Sequence, residues 1–120
     1  MGLHVPIPGA NWKGLVNVTF EGECLDAMTS NPIPTFIASS SHLQTVVTTN
    51  GHYTLMLQIS TLNGTTQLTT HGLQRRLGPS NKSLVFQVSA QGYIPKAISV
   101  PRNIIIVDET NKLNIVLQKE

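Results

Sequence analysis

The sequence predicts an all-β protein, a single antiparallel sandwich of seven to eight short strands. Leu15 to Cys24 alternates: Val16, Val18, Phe20, Gly22 and Cys24 share one face, and Asn17, Thr19, Glu21 and Glu23 share the other. That is a half-buried strand at period two. Two blocks, Thr48 to Leu55 and Ser89 to Tyr93, each place a turn glycine just before a tyrosine and beside an apolar run. Glycine supplies the positive φ of a tight reversal, and the tyrosine can bury its ring while its hydroxyl keeps a local partner. Only 12% of residues are charged, against roughly 25% in an average soluble protein. Ser, Thr, Asn and Gln replace the Glu and Lys that solvate long helices, which argues for strands.

The elements follow in order. Residues 1–14 read as an extended Pro- and Gly-rich apolar arm ending near Trp12, the only tryptophan. After the first strand, Asp26 to Pro32 carries turn chemistry. Pro34 to Ala38 reads as an edge strand, because proline cannot donate to a ladder. Gln44–Thr49 and His52–Ile59 bracket Asn50-Gly51 as a hairpin, and Asn63-Gly64 marks a second hairpin tip between Gln58–Leu62 and Thr65–Thr70. Residues 71–83 show neither periodicity and read as a long loop. Leu84–Ser89, Ala97–Val100, Ile104–Val107 and Leu113–Leu117 complete the strands. No helix, fixed-period repeat or low-complexity tail is evident. Val16, Val18, Phe20, Leu55, Leu57, Phe86, Val88, Ile115 and Leu117 are expected in one core, with Tyr53 and Tyr93 largely buried.

Several residues then match a family. Phe20 to Pro34 resembles the opening of carboxypeptidase-regulatory-like domains, which run apolar-x-Gly-x-apolar-x-Asp into a Thr-Gly-x-Pro turn. Thr48 to Leu55 resembles their Thr-x-x-Asn/Asp-Gly-x-Tyr-x-Leu hairpin, Leu84 to Pro95 their third block, and Leu113 to Leu117 their closing strand. Together these cover roughly residues 16 to 118, and the resemblance implies an Ig-like, transthyretin-like (prealbumin-like) sandwich over residues 15–120. Ser30 and Thr35 stand where the family commonly has glycines. An insertion at about 58–83 replaces the family's short connection and holds Arg75-Arg76, with Lys82 nearby.

The chemistry points away from catalysis. His4, His42, His52 and His71 lack metal-ligand spacing, and no metal or other cofactor is expected. Gly-x-Ser-x-Gly and phosphate-cradling glycine motifs are absent. Hydrolases of the transthyretin-like kind carry a C-terminal Tyr-Arg-Gly-Ser, whereas this chain ends Leu117-Gln118-Lys119-Glu120. That leaves a hydrolase as a remote alternative. Lys13 and Asn114 could be imagined as an isopeptide pair, but no acid interrupts a central strand to assist them. Cys24, the lone cysteine, reads as a small buried hydrophobe.

A net charge of +2 is too small to imply a nucleic-acid partner, and no apolar run approaches the ~18 residues of a membrane span. The N-terminus has no basic region or long apolar core, so no signal peptide is expected. These features suggest a non-enzymatic structural protein, an accessory or decoration subunit of a large assembly such as a phage capsid, tail or injection machine. The partner would be a neighbouring protein subunit and the location the assembled particle. The alternative is a ligand- or glycan-binding accessory domain of a secreted or outer-membrane protein. Candidate contacts are Arg75, Arg76 and Lys82 in the insertion, because loops on rigid scaffolds carry recognition. Leu3, Val5, Ile7 and Trp12 on the arm are the candidate docking residues.

Overall fold

The computed structural model describes residues 11–40, 42–70 and 72–120. It is all-β in two sheets, with no α-helix among those residues. The strands are β1 (Asn11–Asp26), β2 (Thr35–Ser39), β3 (Leu43–Val47), β4 (His52–Thr69), β5 (Gly72–Arg76), β6 (Ser83–Ser89), β7 (Lys96–Pro101), β8 (Thr110–Lys112) and β9 (Ile115–Leu117). The first sheet runs β5-β4-β1-β8, with β9 also on β1, and the second runs β3-β2-β6-β7.

Alternation explains how the sheets meet. Val18 and Phe20 on β1 and Tyr53, Leu55 and Leu57 on β4 turn inward from the first sheet; Phe36, Ala38, Phe86 and Val88 turn inward from the second. The Phe20 and Phe86 rings lie 6.0 Å apart, and Phe36 meets Tyr53 edge-on at 5.3 Å. Each pair joins one sheet to the other. Ile115 and Leu117 on β9 enter the same core, Val16 lies half-buried against it, and Tyr93 is half-buried where Tyr53 is fully buried.

The ladders are not all antiparallel, as the alternation alone suggested. Thr19–Glu21 pairs with Thr110–Lys112, and Cys24–Asp26 with Ile115–Leu117, both in parallel. Asn111 fixes the first of these: its amide donates to the Thr19 and Ile106 carbonyls and its Oδ1 accepts from the Ile106 N–H.

Within residues 58–83 two elements differ from expectation. Asn63-Gly64 is no hairpin tip, because β4 runs through it and keeps pairing with β1 as far as Thr65 opposite Asn11. Asn63 takes φ 53°, and the register shifts between Trp12 and Gly14, the signature of a bulge. The chain reverses only at Thr69–Gly72, where the Thr69 hydroxyl donates to the Gly72 carbonyl, and β5 returns along β4. Residues 72–76 are therefore strand, not loop. An 18-residue strand extends ~60 Å at about 3.3 Å per residue, which accounts for the 56 Å long axis.

Other elements move as well. β1 includes Asn11 to Gly14, so those positions belong to a sheet rather than an arm; Leu3, Val5 and Ile7 lie outside the described residues. β2 is central, not an edge, because Pro34 sits just outside the ladder. Asn50 and Gly51, with φ 51° and 85°, form a closed two-residue turn, but the strands on either side go to different sheets. Val46 pairs with Phe36 and Tyr53 with Gly22, so the turn is a corner. Arg102–Ile104 is a 3-10 turn, and Ile105 to Val107 bonds along β5 instead of forming a named strand.

Candidate functional site

The two arginines singled out by sequence are engaged within the chain. Arg75 and Arg76 are neighbours on β5, and adjacent strand residues point to opposite faces, so they do not form one fork. The Arg75 guanidinium lies 4.7 Å from the Trp12 ring centre and donates to Asp108 Oδ2 at 2.6 Å. Arg76 donates to the Asn103 carbonyl at 3.4 Å, and its buried Nε has no hydrogen-bond partner among the described residues. Lys82 is exposed on a separate turn, its N–H bonded to the Pro79 carbonyl.

Trp12 lies on its own protein. Its indole N–H donates to the Thr65 carbonyl at 3.0 Å, and its ring covers Gly64 so closely that a Cβ there would sit 2.4 Å from Cε2. Gly64 is required because this approach leaves no room for a side chain.

The titratable groups near the core have structural partners. Asp26 is buried at the end of β1; its Oδ1 accepts the Met28 and Thr29 N–H groups, and its Oδ2 accepts the Tyr93 hydroxyl. Those main-chain bonds, Thr29 first, hold its carboxyl below the ordinary range, with Tyr93 and Lys119 adding to the effect. The Tyr93 hydroxyl is raised, chiefly by its bond to Asp26. Burial pushes the Cys24 thiol up to about 11 and raises Tyr53, whose hydroxyl donates to the Leu113 carbonyl. Cys24 is a protonated, inert hydrophobe.

A polar cleft of about 670 Å³ opens beside β1 and β8. Lys112 Nζ lies 3.1 Å from Glu21 and His52 Nε2 lies 3.8 Å from Glu23, while Asn114 Oδ1 accepts the Glu23 N–H. Each carboxylate already faces a basic partner, and no metal-holding cluster occurs among the described residues.

The feature that sequence reading missed is the outer face of the β3-β2-β6-β7 sheet. Burial alternation and register put Leu43, Thr45 and Val47 of β3 beside Thr35, Ile37 and Ser39 of β2. Ser83, Val85, Gln87 and Ser89 of β6 continue the face, followed by Ala97, Ser99 and Pro101 of β7. None of these side chains is charged. Val47 is 72% exposed, Leu43 71%, Val85 55% and Ile37 40%. A hollow of about 510 Å³ indents one end of the face, between Ile37, Thr45, Ser89 and Tyr93, with Glu120 the one charged side chain lining it. The period-two pattern of each strand held the signal; the order of the strands, which gathers those residues, did not show in it. The first sheet differs, with Glu21, Glu23, Lys112 and His52 on its outside.

No family model matches the chain, and no curated protein matches it significantly.

Proposed function

We propose that this is a non-enzymatic structural protein that docks on a neighbouring protein subunit through the outer face of its β3-β2-β6-β7 sheet. In this reading the two sheets form a transthyretin-like sandwich, and the chain serves as an accessory or decoration subunit of a large assembly such as a virion. The observation that carries it is the charge-free face. A sheet face that meets water ordinarily mixes in charged residues, whereas a contact surface is depleted of them at its centre. Exposed Leu43, Val47, Ile37 and Val85 supply apolar area, and the adjoining hollow can receive a protruding side chain. The four sequence blocks that resemble carboxypeptidase-regulatory-like domains fall on β1, the β3–β4 corner, β6 with its following turn, and β9, which supports the sandwich assignment.

Fractionation of the producing cells tests the proposal. A neutral interface is not screened, so the protein should remain in a discrete high-mass particle in about 1 M salt, where the Debye length is only ~3 Å. Recovery solely as free chain at every salt concentration would overturn it.

The polar cleft favours a second reading, a glycan-binding accessory domain, because Glu21, Glu23, His52, Lys112 and Asn114 all line it. Binding of neutral oligosaccharides that is lost in Glu23→Gln would support that reading instead.

A further inference from the structure

The sheet edges among the described residues are guarded to different degrees. The outer edge of β5 is covered from Arg75 onward by the following chain: Leu77 N–H bonds the Ile105 carbonyl at 3.2 Å, and Val107 N–H bonds the Arg75 carbonyl at 2.8 Å. The first half of β4 has no strand beyond it, but side chains occupy two of its carbonyls. Gln44 donates to Met56 at 2.9 Å and Arg102 to Ser60 at 3.3 Å. β7 is bracketed by Pro95 and Pro101, and its Lys96 bonds the Val116 carbonyl. β8 and β9 are three residues each. Covering chain, prolines, lysine and short length are the usual protections of an edge.

β3 has none of them. Its sequence, Leu43-Gln44-Thr45-Val46-Val47, holds no charge, proline or glycine, a composition with high strand propensity. The Thr48 N–H bonds the Pro34 carbonyl at 2.8 Å, which sets the phase of the β2–β3 ladder. Val46 and Gln44 direct their main-chain groups to β2, and Leu43, Thr45 and Val47 direct theirs to the open side. No described residue bonds those groups.

We infer that β3 pairs edge to edge with β3 of a second copy, antiparallel about a two-fold axis through Thr45, joining two four-stranded sheets into one. The strand is complementary to itself. Leu43 faces Val47 of the second copy, Thr45 faces its counterpart, and each facing pair exchanges both main-chain hydrogen bonds. Cross-strand pairs of this kind are favourable, and no like charges meet. The charge-free outer face continues across the junction. A five-residue edge buries less than the ~1,600 Å² of a standard interface, so the dimer is weak and depends on concentration. The inference rests on main-chain groups and stands apart from the docking proposed for the face.

Sedimentation velocity on the full chain from about 5 µM to about 500 µM, spanning weak dimers, tests it. The wild type should shift from monomer to dimer. Thr45→Lys and Thr45→Glu, each of which puts like charges opposite one another, should each weaken the dimer about tenfold or more. An equimolar mixture of the two should restore it as a heterodimer. Both variants should melt as the wild-type monomer does, since Thr45 is exposed. A wild type that stays monomeric throughout, a dimer untouched by Thr45→Lys, or a mixture that stays monomeric overturns the inference.

Discussion

The Tyr93 hydroxyl donates a 2.9 Å hydrogen bond to Asp26 Oδ2, tying the turn after β6 to the end of β1 across 67 positions of sequence. Asp26 meanwhile holds its own turn by accepting the Met28 and Thr29 N–H groups. One buried carboxylate thus organises two loops at the same end of the molecule.

The pH dependence follows from the directions of the two shifts. Asp26 is depressed on folding, so its contribution is present above the unfolded value of about 3.9 and lost as pH falls through the folded value. Tyr93 is raised, so its contribution is present below about pH 10 and lost as pH rises through its folded value. Asp26→Asn should melt below the wild type near neutrality, and the gap should close below about pH 4. Tyr93→Phe should lose the corresponding alkaline limb. Thermal melts across pH check both.

Phe86 is 1% exposed and faces Phe20 across the two sheets. Phe86→Ala should cost about 3–5 kcal/mol, as large core truncations do. Val85→Ala, next to it but on the outer face, should cost less than about 0.5 kcal/mol. Denaturant titrations of the two variants measure the contrast.

Ser30 adopts φ 59° in the turn after β1, at a position where the resembling family commonly has glycine. A left-handed backbone costs a residue with a Cβ roughly 1–2 kcal/mol, partly offset by the greater unfolded freedom of glycine. Ser30→Gly should therefore stabilise the protein by up to about 1 kcal/mol. Equal or lower stability would show that Ser30 is unstrained.

Arg75 stacks on Trp12 and pairs with a largely exposed Asp108. The ion pair is screened by solvent, so most of the loss should come from the stacked ring. Arg75→Ala should cost about 1 kcal/mol, and raising the salt should recover little of the difference. A melting temperature equal to wild type would mean that the arginine serves an external partner alone.

The strands were legible where one face is buried along a continuous run. Val16 to Cys24, Tyr53 to Ile59 and Leu84 to Val88 show period two because each lies over the single core. Asn50-Gly51 and Asn63-Gly64 look alike locally, yet one is a corner and the other a bulge. The difference comes from Trp12, whose bond to Thr65 spans 53 positions of sequence and lies beyond any local window. The same limit concealed β5, whose edge partners are Ile105 and Val107, and β8, too short to show a period. The outer face was hidden for a related reason: Leu43, Ile37 and Val85 are ordinary exposed residues until strand order places them together.

Salt-resistant cosedimentation of wild type, Val85→Lys and Met56→Lys with the proposed particle tests docking through the second sheet most directly. Val85 and Met56 are similarly exposed, at 55% and 53%, but lie on the outer faces of different sheets. Val85→Lys should release the chain from the particle in about 1 M salt, while Met56→Lys should stay bound. Release by Met56→Lys with retention of Val85→Lys would contradict the account and move the docking surface to the first sheet.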